Sequence, residues 1–155
     1  MPDQHTLEGG CLCGKIRYRL AADESIYNVM CHCVNCKKSS GTHMVNSSIF
    51  PRQLFTLTSG TPKTFQDVHT DSGQPLYRNF CGDCGSPTHI TTPAVDEIVA
   101  ILSGTLDNGT EWWKPNKEQY IETKSCWLPS LPVSKKDGVV ERHSRGPLKE
   151  QSYET

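Results

Sequence analysis

The chain has 155 residues, a formal net charge of -1 and 35% hydrophobic residues. That length suits one domain of ordinary size with a real core, and the near-zero charge excludes a general attraction to nucleic acid or to an acidic membrane surface. Its eight cysteines are about 5% of the residues, below the roughly 8–10% of small disulfide scaffolds.

The first ten residues, MPDQHTLEGG, hold no apolar stretch of the kind a secretory signal needs. A cytoplasmic protein with reduced thiols is therefore expected. The pair CLC (Cys11, Cys13) comes next, and KIRYRLA then alternates Ile16, Tyr18 and Leu20 with Lys15, Arg17 and Arg19, the pattern of a half-buried strand. The run CHCVNC brings together Cys31, Cys33 and Cys36, and VNCKKSSG reads as a short helical turn ending at Gly41. HMVNSSIF, LFTLTSG and PLYRNFC follow as strand candidates, the last running into CGDC (Cys81, Cys84). EIVAILSGTLD and QYIETKSCW are the final two, with Gly, Pro, Asn and Asp between the runs. The longest apolar run, Ile98 to Leu102, is far too short to span a membrane. Residues 1–128 thus read as a mostly antiparallel β domain with little helix, and 129–155, rich in Pro, Ser and charge, as a polar tail or an arm that folds back.

Seven of the cysteines fall into close clusters, which suits metal better than long-range staples. Zinc takes thiolates in a tetrahedron, so Cys11 and Cys13 with Cys81 and Cys84 would make a closed four-sulfur site clamping the first strand to a later one. Cys31, Cys33 and Cys36 remain. Catalytic zinc sites use three protein ligands and leave the fourth position to water or substrate, so two zinc ions per chain are expected. A fourth protein ligand would close the second site, and His32, His43, His89 and Cys126 are the candidates. His32 is expected to point the other way in an extended segment, and Cys126 to be buried beside Trp127.

The stretches GGCLCGKIRY, CHCVNCKKSSG and RNFCGDCGSP, with SGTLD and the P…Y…K…WL run from Pro115 to Leu128, resemble the glutathione-dependent formaldehyde-activating enzyme family, which also includes centromere protein V. The likeness implies a β-tent fold stapled by zinc, with a structural zinc on Cys11, Cys13, Cys81 and Cys84 and a catalytic zinc on Cys31, Cys33 and Cys36. It implies a zinc-dependent carbon–sulfur lyase that joins glutathione's thiol to formaldehyde or splits S-(hydroxymethyl)glutathione, with glutathione or a related small thiol adduct as partner. The centromere protein V branch implies the alternative, a non-catalytic zinc-binding interaction module. For the chemistry, Lys37 and Lys38 are placed to moderate the charge of the thiolates, and His32, His43 and His89 are the candidate proton shuttles. Arg78 would hold a substrate carboxylate or bond locally, and Ser39 to Thr42 would offer donors to a substrate or simply end the helix.

Overall fold

A computed structural model describes residues 6–109, 113–131 and 141–143. Its strands are β1 (Leu7–Gly10), β2 (Arg17–Leu20), β3 (Tyr27–Cys31), β4 (Val45–Pro51), β5 (Phe55–Ser59), β6 (Lys63–Asp67), β7 (Leu76–Phe80), β8 (Pro87–Thr91), β9 (Ile98–Leu102), β10 (Lys117–Gln119) and β11 (Glu141–His143). Among the described residues α1 (Val34–Ser40) is the one α-helix, so the protein is mainly β as expected. No helix of the described residues is long and apolar enough to cross a membrane. The chain divides into two compact units, 1–26 with 48–112 and 27–47 with 113–155.

The first unit holds an antiparallel sheet in the order β1-β2-β5 and a second group in the order β4-β9-β8-β7-β6. The pairings from β6 through β9 are antiparallel. Strand β2 explains why this unit has a core: Tyr18 and Leu20 point inward and Arg19 outward. Those two side chains pack with Phe50, Val99, Ile101 and Leu106, all buried. The Tyr18 ring lies 5.6 Å from that of Phe55. Its hydroxyl is buried, and burial pushes its pKa up to about 12. It therefore donates as a neutral phenol to Thr105 Oγ1 at 2.8 Å, and Thr105 in turn donates to the Leu102 carbonyl at 2.8 Å. On the rim, the Arg17 guanidinium forks onto the Asp107 carboxylate.

The second unit is built differently. Strand β10 pairs in parallel with β3, Glu118 opposite Met30 and Gln119 opposite Cys31, and in parallel with β11 on its other side. Parallel neighbours need a long crossover, and residues 32–116 supply it between β3 and β10. Helix α1 starts at Cys33, which caps it, and ends at Gly41 in the left-handed region (φ 69), whose N–H donates to Lys37 O at 2.9 Å.

Two expected strands are shorter than their sequence pattern. EIVAILSGTLD leaves extended geometry after Leu102, where Ser103–Thr105 forms a 3-10 turn. QYIETKSCW is strand only at Gln119. Tyr120 sits at φ 59, the one positive φ among described non-glycine residues, and a 3-10 turn over Ile121–Thr123 follows. Cys126, expected to be buried, is exposed, and Trp127 beside it is 64% exposed. Of the polar tail or arm expected over 129–155, residues 132–140 and 144–155 lie outside the described residues.

The core sets two expected outcomes. A Cβ on Gly9 would lie 2.3 Å from Tyr18 Oη and 2.4 Å from the Thr105 carbonyl oxygen. Gly9→Ala should therefore lower unfolding stability by about 1–3 kcal/mol, read as a lower urea midpoint; an unchanged midpoint would mean that the Tyr18–Thr105 contact gives way freely. The second concerns His89, which is buried with its ring 4.7 Å from that of Phe55 and its Nδ1 3.0 Å from Thr88 Oγ1. Burial, helped by the Arg52 charge, draws its pKa from 6.5 to about 4. Protonation then favours the unfolded chain, so this contribution is complete above pH 6.5 and is lost as pH falls towards 4, on the order of 3 kcal/mol. Comparing urea midpoints of wild type and His89→Leu across that range separates this limb from acid effects on the thiols: the variant should lose the slope, and equal slopes would contradict the assignment.

Candidate metal centres

Both knuckles of the first unit are tight strand-to-strand turns. Cys11 and Cys13 lie between β1 and β2, Cys81 and Cys84 between β7 and β8. Each turn needs a left-handed residue, and glycine supplies it at Gly14 (φ 79) and Gly85 (φ 76). The Gly14 N–H donates to Cys11 O at 3.0 Å and the Gly85 N–H to Cys81 O at 2.9 Å. Cys11 Sγ is 3.5 Å from Cys13 Sγ, which is 3.7 Å from Cys81 Sγ, and all four sulfurs lie within 4.8 Å of one another. A disulfide would need about 2.05 Å, and all eight cysteines are free. A tetrahedron with metal–sulfur arms of about 2.3 Å has edges of about 3.8 Å, so the cluster fits a metal ion held by four sulfurs.

Polar donors support the sulfurs. Ile16 N donates to Cys11 Sγ at 3.2 Å. The Ser86 hydroxyl lies 3.2 Å from Cys84 Sγ, and it and the Ser86 backbone hold the Cys84 thiol down at about 5. Leu12 N also donates to Ser86 Oγ at 3.0 Å, stitching one knuckle to the other. The exposed pair Lys15–Asp83 spans the same two turns at 2.5 Å.

The second unit builds its cluster at a strand–helix junction. Cys31 ends β3, Cys33 caps α1, and Cys36 lies in the helix. Cys33 is extended (φ -63, ψ 152), and its Sγ accepts from Cys36 N at 3.2 Å. The three sulfurs lie within 4.8 Å of one another, Cys31 and Cys36 buried and Cys33 half-buried. Contact with the Cys33 and Cys36 thiols, together with burial, pushes the Cys31 thiol well up. Three thiols at this spacing ionise together only if a cation joins them, so this cluster too can hold a metal ion. Among the described residues no fourth cysteine, histidine or carboxylate joins the group.

The four candidates for a fourth ligand lie elsewhere. His32 is fully buried, and its Nε2 donates to Glu118 Oε1 at 2.8 Å. His43 is exposed, with Nδ1 2.7 Å from Ser125 Oγ and its ring edge-on to Trp127 at 5.1 Å. His89 belongs to the core of the first unit, and Cys126 is exposed. Lys37 Nζ donates to Thr123 O at 2.7 Å, and Lys38 is exposed. Arg78 bonds locally: Nε and Nη2 reach Asp67 Oδ2 at 3.0 and 2.9 Å. Ser39 and Ser40 donate to the Cys36 carbonyl at 3.1 and 2.7 Å, the ordinary bonding of a helix end. Glu118 and Thr123 bond His32, and Lys124 bonds Glu118, and none of the three stands out in the sequence. One glutamate in the polar run NKEQY carries no local signal of burial.

A protein of Halomonas elongata, provisionally named a glutathione-dependent formaldehyde-activating enzyme, is 24% identical over 124 residues, 79% of each chain. The crystal structure of a Rhodobacter sphaeroides protein shares the fold with a TM-score of 0.52 at 17% identity, covering 65% of this chain and 88% of that one. The family profile described as glutathione-dependent formaldehyde-activating enzyme matches residues 6–123, a span that contains all seven clustered cysteines. The chain belongs to the glutathione-dependent formaldehyde-activating enzyme family.

Proposed function

We propose that the protein is a zinc-dependent carbon–sulfur lyase of the cytoplasm acting on a glutathione-type thiol adduct, S-(hydroxymethyl)glutathione or a related conjugate. In this reading Cys11, Cys13, Cys81 and Cys84 hold a structural zinc, and Cys31, Cys33 and Cys36 hold a catalytic one. Residues 1–128 form the zinc-binding part and 129–155 a polar tail or arm. The observation that carries the reading is the inequality of the clusters: four sulfurs in one, three in the other with no fourth ligand among the described residues. Bound at the three-cysteine cluster, zinc supplies a soft Lewis-acidic position that favours the thiolate form of an incoming thiol.

The chain's own residues prepare that position. The Cys36 N–H on Cys33 Sγ supports negative charge there. Burial of Cys31 and Cys36 keeps water from their side of the cluster, while the half-buried Cys33 leaves an approach. In the lyase direction the carbon–sulfur bond breaks with its electron pair going to sulfur, the hydroxyl proton leaves, and the freed oxygen forms the aldehyde carbonyl. Synthesis is the reverse. His32 is committed to Glu118 and His89 to the other unit's core. Among the described side chains of this unit His43, exposed and bonded to Ser125, is the histidine open to solvent, and we assign it the role of passing that proton on.

Titration calorimetry tests the proposal. Glutathione should bind the zinc-loaded protein and release about one proton near neutral pH, since a free thiol titrates near 8.5. S-methylglutathione, with no proton to lose, should bind much more weakly. Buffers of different ionisation enthalpy measure the release. Equal affinity for the two compounds with no proton released would contradict thiolate ligation and favour the non-catalytic interaction module.

A further inference from the structure

His32 stands between two of the three clustered cysteines, and one short stretch holds nearly all its polar atoms. Its N–H donates to Gln119 O at 3.1 Å, and its carbonyl accepts from Thr123 Oγ1 at 2.9 Å. Its Nε2 donates to Glu118 Oε1 at 2.8 Å, leaving Nδ1 with no partner among the described residues. The chain doubles back at Tyr120, whose left-handed backbone lets residues on both sides of it reach the same histidine.

Glu118 is an odd neighbour for a group of thiolates. Its side chain is 0% exposed, and a buried carboxylate is unfavourable unless paired and hydrogen-bonded. Lys124 Nζ meets that need at 2.7 Å from the same Oε1, with its own side chain 15% exposed. The lysine cancels the carboxylate's charge, so what Glu118 offers the cluster is a fixed acceptor rather than a field. Glu118 faces Met30 across the β10–β3 pairing, one residue from Cys31, so the ring is pinned from the strand beside the cysteine it adjoins.

We infer that Glu118, itself held by Lys124, is a positioning residue for the three-cysteine cluster. By clamping the His32 ring it fixes the backbone between Cys31 and Cys33, and thereby the affinity and geometry with which that cluster holds metal. The inference rests on the proposed reading that this cluster binds zinc. Outer partners of metal ligands are worth about 10–100-fold in metal affinity.

The experiment uses the full chain as wild type, Glu118→Ala, Glu118→Gln and Lys124→Met. Zinc affinity is read by competition with a chromophoric chelator, and site geometry from the visible bands of the cobalt-substituted protein. Glu118→Ala and Lys124→Met should weaken the more loosely held metal by about 10–100-fold and alter its cobalt bands, with the tighter metal unchanged. Glu118→Gln keeps an oxygen that can accept both hydrogen bonds, so it should stay within a few-fold of wild type. If Glu118→Ala does not fold, Lys124→Met decides by the same two readouts. A wild type that takes up one metal per chain would sink the reading of the cluster itself. Two metals in wild type, with Glu118→Ala and Lys124→Met matching it in affinity and spectrum, would sink the positioning role alone. So would Glu118→Gln failing as badly as Glu118→Ala, because charge and not the fixed acceptor would then be what matters.

Discussion

Sulfur crowding is the constraint on which the rest depends. Thiols 3.5 and 3.7 Å apart are too far for disulfides and too close to ionise together in water. A cation among them removes the conflict: it holds each sulfur as thiolate and turns a repulsive group into a cross-link. In the first unit such a cross-link would join residues 68 positions apart, Cys13 and Cys81. The turns that present the sulfurs are stitched by Ser86, while a separate apolar core of Tyr18, Leu20, Phe50, Val99, Ile101 and Leu106 holds the strands.

Each unit solves the same problem with its own local structure. In the first, glycine-closed turns aim two pairs of sulfurs at one point. In the second, a strand end, a helix cap and a residue in the helix aim three, and the missing fourth is replaced by nothing among the described residues. Their polar surroundings differ too. A serine and backbone amides serve the four-sulfur group, whereas a buried histidine–glutamate–lysine chain braces the three-sulfur group.

The clusters were legible in the sequence because C-x-C and C-x-x-C spacings are local: the backbone between two such sulfurs has few ways to run. The same holds for α1, with a cap at Cys33 and a left-handed glycine at Gly41, and for β2, whose alternation survives folding unchanged. Less was legible where long-range contacts decide. Strand β6 has four exposed residues of five, so it shows no hydrophobic period. Strand β3 passes for part of a cysteine motif, and its parallel partner β10 is only three residues long. Cys126 beside an aromatic suggests burial, but Trp127 is itself exposed and gives the cysteine no core to join. Glu118 was invisible because its burial depends on Lys124 six residues on and His32 far upstream.

The most direct test of the account is a count of metal per chain during graded chelation, with folding followed in the same sample. Gently purified protein should carry close to two zinc ions. A mild chelator should remove one without loss of β structure, and that loss should be abolished in a Cys33→Ser variant, which starts with one. Removal of the second should unfold the protein. A single zinc that never exchanges, or two that leave together as the chain unfolds, would contradict the division into a closed structural site and an open working one.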